Sequence, residues 1–329
     1  MIGDAFRESF DLIKEHKGII IPGIVATLVT FVLVLLAVQV TGAGEAVREF
    51  QTLLEEYDEV QANETFNDFD PQNKGDWLAA GSYITGKGSY KKGMGPYLES
   101  KGFTWNKFTD LLTQQNIILV SVITVFGLLF GLYCRSATYG MAALAVTGQD
   151  TDFGSTLGMA NKFWWRFLFI RIILSAILFL PFFIAGGIVF LAFKLNPIVA
   201  IIATVLFGFL LLIVTTYLST KLLFSISALF VDEEDIFSSI GESWNLVKGQ
   251  FWMVFVVGLI IYGIGSLGQS FLGNPANSSS GVILFGTGAG KIALSAVLMI
   301  IFVVLVNVVN AFRDLFYFAV YEEAKTRKL

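Results

Sequence analysis

Apolar positions in this chain gather into long unbroken runs, and the polar residues collect in the gaps between them. Six runs reach roughly the 20 residues that a helix needs to cross a hydrocarbon layer of about 30 Å. They are Ile19–Val40, Ile117–Leu132 with its continuation to Val146, Phe167–Phe193, Pro197–Leu218, Trp252–Phe271 and Ile292–Phe312. Only Lys194-Leu195-Asn196-Pro197 divides the third from the fourth, and Asn-Pro is a strong helix break. The pattern predicts an all-α, polytopic membrane protein with six transmembrane helices.

A second pattern precedes these runs. Residues 8–14, Glu-Ser-Phe-Asp-Leu-Ile-Lys, return at 242–248 as Glu-Ser-Trp-Asn-Leu-Val-Lys. The offset of 234, the difference between positions 242 and 8, pairs Ile2 with Ile236, Phe6 with Ile240, Phe10 with Trp244 and Ile13 with Val247. Steps of four, four and three place each set on one helix face. Lys14 and Lys248 fall near the helix ends, where a cation suits both the dipole and anionic headgroups. Ser239 and Glu242 have capping-box spacing at the start of the second copy. A weaker third copy runs through Phe153, Leu157, Ala160, Trp164 and Phe167. The expected plan is therefore three hairpins of spanning helices, each preceded by an interfacial amphipathic helix. Residues 1–41 form the first such helix and span, and 42–116 an extracytoplasmic helical cap loop. Residues 117–329 hold five further spans, with interfacial helices near 152–166 and 235–250.

Composition agrees with lipid as the main solvent. Of the 329 residues 55% are hydrophobic and 15% charged, against about 25% charged in soluble domains. The formal net charge of −4 gives nucleic-acid binding no support. Cys134 is the single cysteine, so no intramolecular disulfide forms. The first run is longer than a signal-peptide core, and Asp4, Glu8, Asp11 and Glu15 precede it, so it reads as a retained helix. Basic residues crowd the short segments on one side: Arg7, Lys14, Lys17, Lys162, Arg166, Lys248, Lys325, Arg327 and Lys328. The opposite short loops offer Lys194 and Lys291. That asymmetry places both termini in the cytoplasm of a cell membrane. The sequons Asn63-Glu64-Thr65 and Asn277-Ser278-Ser279 both fall on the outer side.

Residues 231–256 carry a more specific signature, a short acidic link followed by Ser243-Trp244-x-Leu246-x-Lys248-Gly249-x-Phe251-Trp252 leading into a span. Together with the ending Ala319-Val320-Tyr321-Glu322-Glu323-Ala324-Lys325, this resembles the membrane domain of glycerophosphodiester phosphodiesterases and related stand-alone archaeal and bacterial membrane proteins. The resemblance implies an architecture, not an activity. The chain has no room for the soluble barrel that hydrolyses phosphodiesters, and His16 is its one histidine.

Other chemistry is sparse. Gly81-Ser-Tyr-Ile-Thr-Gly86-Lys87-Gly88 nearly matches a phosphate loop but lacks the final hydroxyl for magnesium. Asp68-Phe-Asp70-Pro-Gln-Asn73 misses the glycine of a calcium loop. No zinc spacing occurs, so neither a metal nor another cofactor is expected. Within 42–116, Val47, Phe50, Leu54, Tyr57 and Gln61 trace one helical face, and Trp105, Phe108, Leu111 and Leu112 another. That loop is a candidate surface for a protein partner. Gly127-Leu-Leu-Phe-Gly131 permits a close helix contact, expected within the chain.

Ionisable residues inside spans are costly and mark candidate sites. Arg135, Arg171, Lys221, Arg313 and Asp314 approach the cytoplasmic ends of their spans, with Asn307 and Asn310 deeper on the last one. Arg135, Arg171, Lys221, Arg313 and Asn310 are the candidates for holding a lipid phosphate. The competing reading is snorkelling to the interface, plus an ion pair from Asp314 to a neighbouring arginine. No visible residue set supports catalysis. The expected function is a non-enzymatic integral membrane protein that binds or organises lipids, including anionic ones, or a membrane partner complex. The alternative is a transporter or lipid translocase with a polar path between the hairpins.

Overall fold

The computed structural model describes residues 2–46, 49–50, 52–53, 56, 101–102, 113–267 and 289–328. No strand occurs among them. The helices are α1 (Ile2–Glu15), α2 (Ile21–Thr41), α3 (Gln114–Val146), α4 (Phe153–Leu195), α5 (Pro197–Lys221), α6 (Ser225–Val231), α7 (Ile236–Lys248), α8 (Phe251–Leu267) and α9 (Ala289–Lys328), with a 3-10 turn at Lys17–Ile20 before α2. The two sequons, the near-phosphate loop and the aspartate-rich segment lie outside the described residues, as does most of the 42–116 loop.

Among the described residues five stretches are long and apolar enough to cross a membrane: Lys17–Thr41, Gln114–Val146, Gly154–Lys194, Ile198–Val231 and Val297–Arg327. A sixth arises if α7 and α8, bent by 114° at their junction, count as one span. The hydrophobic runs thus became helices, and their middles stay uncovered by protein. Phe183 is 77% exposed and Phe209 69%. Apolar side chains standing open along whole helices are compatible with a multi-pass membrane protein, in which lipid covers them.

Local chemistry sets the helix ends. Asp152 accepts a hydrogen bond from Ser155 N at 2.8 Å and starts α4. Asn196 ends α4 and caps α5, accepting from Ile198 N at 2.8 Å, with Pro197 as the first helical residue. Asp235 caps α7 through Phe237 N. Hydrogen bonds from Ser155 and Ser238 hold the Asp152 and Asp235 carboxyls below the usual carboxylate range. The capping-box spacing of Ser239 and Glu242 therefore does not mark the helix start. Ser239 lies one turn inside α7, and its hydroxyl donates back to Asp235 O at 2.7 Å.

The amphipathic segments divide into two kinds. α1 and α7 are short separate helices, as their stripes predict. The segment 152–166 is helical but not separate, because α4 runs unbroken from Phe153 to Leu195. No glycine or proline between Phe163 and Ile170 offers a break, and 43 residues extend about 65 Å, well beyond the hydrocarbon thickness. Its buried face also differs by one position from the predicted one. Thr156, Ala160, Phe163, Phe167 and Ile170 are buried, whereas Trp164 lies at the edge.

Packing divides the chain into two compact units. One comprises residues 31–126 and 279–296; there Lys101 pairs with Glu56 at 2.9 Å, and Thr41 Oγ1 caps the last turn of α2 by donating to Ala37 O. The other comprises residues 1–30, 127–278 and 297–329 and holds the aromatic core. Tyr139, Phe163, Phe167, Phe230 and Phe318 meet there with ring centroids 5.3–5.9 Å apart, the range of favourable edge and tilted contacts. α1 joins the same unit by setting Phe6 against Phe312 at 5.0 Å.

Small residues decide where helices touch. A Cβ added at Gly140 would come within 2.8 Å of the Cβ of Met159, so α3 and α4 approach to near backbone contact there. At Gly23 the same atom would lie 2.2 Å from the side-chain oxygen of Asn307, whose amide donates to Val303 O and Thr27 Oγ1. Gly131 of the GxxxG motif has nothing within 4 Å, so the internal contact expected there is not made at that glycine. The close approaches fall at Gly140 and Gly23. Gly140→Ala should lower stability by about 1–3 kcal/mol, since neither partner is a flexible side-chain end. Gly186→Ala, which points into open space, should be neutral or slightly stabilising. Thermal unfolding in detergent compares the two; an equal effect would refute the close-contact argument.

Candidate functional site: an arginine-lined cavity

Three of the helices that build the core also carry charge toward a common space, and a fourth adds polar side chains. A cavity of about 610 Å³ is lined by Arg135 and Tyr139 of α3, Arg171 of α4, Tyr262 and Ser266 of α8, and Arg313, Asp314 and Tyr317 of α9. Its remaining wall is largely aliphatic, with Leu174, Leu178, Ile226 and Ile261. One chamber therefore offers guanidinium groups beside an apolar surface.

Asp314 organises the polar part. It is 3% exposed, and its Oδ1 accepts from Arg135 Nη2 at 2.9 Å and from Arg313 Nη2 at 3.0 Å. Two cations on one carboxylate oxygen offset the cost of burying the acid. Arg135 also lies over the Tyr139 ring, 4.8 Å from its centroid, and donates to the Tyr139 hydroxyl at 3.2 Å. The same hydroxyl accepts from Arg171 Nη2 at 3.3 Å. Gly265 leaves room for Arg313, whose guanidinium would sit 3.0 Å from a Cβ at that position.

Arg171 differs from the other two. It makes the Tyr139 contact and lies 5.1 Å from the Phe167 ring centroid, but it has no carboxylate partner among the described residues. The cavity thus combines three guanidiniums with one carboxylate.

Of the five sequence candidates, the fold brings together Arg135, Arg171 and Arg313. Lys221 and Asn310 do not line this space. Lys221 ends α5 with its ammonium over Tyr217 and Trp244. Asn310 is partly buried away from the cavity, and the deeper Asn307 turns to Thr27 on α2. Depth along each helix was legible in the sequence, but rotation about each axis was not. Tyr139, Tyr262 and Tyr317 went unrecognised as lining residues. Only Tyr139 left a signal, four residues from Arg135 and so on the same helix face.

Among the described residues these features define an all-helical protein with five or six candidate spans and an arginine-lined, half-aliphatic cavity. Residues 102–321 match the family described as Domain of unknown function (DUF7847), and the chain belongs to that family. No curated protein and no solved structure matches. The family match shows no relationship to glycerophosphodiester phosphodiesterases. The matched stretch includes all three cavity arginines and leaves out α1 and α2.

Removing the carboxylate should be more damaging than its small size suggests. Asp314→Ala leaves two half-buried guanidiniums without their acceptor, and a loss of about 1.5–3 kcal/mol is expected. Asp314→Asn keeps an acceptor oxygen and should lose less. Unfolding in a fixed detergent measures both. A loss under about 1 kcal/mol for Asp314→Ala would show that the arginines are satisfied without it.

Proposed function

We propose that this protein is a non-enzymatic, multi-pass membrane protein that holds an anionic lipid in the arginine-lined cavity. The observation that carries the proposal is the surplus of charge: three guanidiniums face one carboxylate beside an aliphatic wall. A lipid phosphate would meet Arg171 and share the outer edges of Arg135 and Arg313, while an acyl chain follows Leu174, Leu178 and Ile261. Arginine suits this role because its donors match phosphate oxygens in pairs. The resemblance to phosphodiesterase membrane domains fits a role in the bilayer without hydrolysis.

The same reading places the protein in the cell membrane with both termini cytoplasmic and residues 42–116 outside, where a protein partner could engage the loop. The basic short loops support this orientation. The equivalence of α1 and α7 supports an internal repeat, since at the offset of 234 Ala5 and Ser239 are both fully buried, as are Ser9 and Ser243. Lipid translocation is the second reading, favoured by the same mix of polar and aliphatic lining. Lipid flipping in proteoliposomes, absent from protein-free vesicles, would support it.

Two measurements bear on these proposals. A cysteine introduced within residues 55–75 should react with an impermeant reagent in intact cells; reaction only after lysis would reverse the topology. Arg171→Gln removes a cation that no carboxylate needs, so the fold should persist. Anionic lipid retained through purification should fall about five-fold, corresponding to roughly 1 kcal/mol per basic residue at an anionic surface. Unchanged retention in the folded variant would reject the lipid site.

A further inference from the structure

Lys221 stands apart from the cavity and poses its own electrostatic problem. It is 4% exposed, with Nζ 5.9 Å from the Tyr217 ring centroid and 5.3 Å from that of Trp244. Among the described residues no carboxylate pairs with it and no acceptor takes a hydrogen bond from its ammonium. The charged neighbour acting on it is a second cation, Lys248, at the end of α7.

Two aromatic faces offset only part of the cost of burying an ammonium. The ends of α5 and α7 supply negative dipole ends, yet four of their last carbonyls already have donors. Leu218 O accepts from Leu222 N, Thr220 O from Leu223 N, Lys221 O from the Ser243 hydroxyl, and Val247 O from Gln250 N. The elbow therefore holds two neighbouring cations and no carboxylate bonded to Lys221. A counter-anion from outside the chain would complete it.

The surroundings indicate which anion. Tyr217, Trp244 and Trp252 are 44%, 38% and 75% exposed around this elbow. Tyr217 stacks on Phe251 at 5.5 Å, where the amphipathic α7 turns into α8. Exposed tryptophan and tyrosine gather at the depth of lipid headgroups. We propose that Lys221 and Lys248, walled by Tyr217 and Trp244, hold the phosphate of an anionic membrane phospholipid at a second site, distinct from the arginine cavity.

The test uses the full chain in zwitterionic phosphatidylcholine nanodiscs, with Arg171→Gln as the common background to weaken the cavity. Phosphatidylglycerol is exchanged in, and thermal unfolding reports apparent affinity. Lys221→Met keeps the apolar stem and drops the charge. Without anionic lipid it should melt no lower than the background, and its affinity for phosphatidylglycerol should fall about ten-fold. Lys248 is exposed, so Lys248→Glu should fold normally and lose at least as much affinity. Full affinity in either folded variant would overturn the site. Inorganic phosphate in phosphatidylcholine alone should give little stabilisation. Stabilisation equal to that from phosphatidylglycerol, and lost in Lys221→Met, would overturn the lipid assignment in favour of a free anion.

Discussion

Asp314 is the buried carboxylate through which α3 and α9 are held in register. A carboxylate at 3% exposure is tolerable only with charge beside it, and Arg135 and Arg313 both close on its Oδ1. That requirement constrains everything around it. α3 must turn Arg135 inward, which also brings Tyr139 into the aromatic cluster with Phe167, Phe230 and Phe318. Gly265 must stay small where α8 passes the Arg313 guanidinium. The cavity opens beside this ion pair, with guanidinium groups on one part of its wall and aliphatic residues on much of the rest.

The core beneath this cluster is unusually aromatic for a reason of geometry. Flat rings fill the gaps between the helices, and edge contacts at 5–6 Å add a directional component to packing. Phe163, Phe167 and Phe230 are essentially inaccessible, while phenylalanines in the middles of the long helices stand open. The same residue type thus serves two environments. In one it fixes the packing of protein against protein, and in the other it stands exposed, which is compatible with a lipid-facing surface.

Charge follows a parallel division. Arg135 and Arg313 both pair with the single carboxylate of Asp314, whereas Arg171 and Lys221 have no carboxylate partner among the described residues. Paired cations stabilise the helix arrangement, and unpaired ones create a demand for an external anion. The two unpaired cations belong to α4 and α5, and the cavity takes in only the first. For that reason the proposals assign them to separate lipid phosphates instead of one continuous ring.

The sequence by itself determined that the chain is helical, where its long apolar helices run, and that α1 and α7 are separate amphipathic elements. These properties depend on local composition: unbroken apolar length, Asn196-Pro197 as a break, and apolar spacing near one helical turn. It also marked Arg135, Arg171, Lys221 and Arg313 as ionisable residues in apolar surroundings. Tertiary structure decided which of them meet. Rotation of each helix about its axis is set by contacts such as Gly140 on Met159 and Gly23 on Asn307, between residues far apart in the chain. Tertiary contacts of this kind set Arg171 and Arg135 on one Tyr139 hydroxyl and Lys221 beside Lys248. They also merged the 152–166 segment into one long α4, because no local break separated it from the span and its inward face packed against the core.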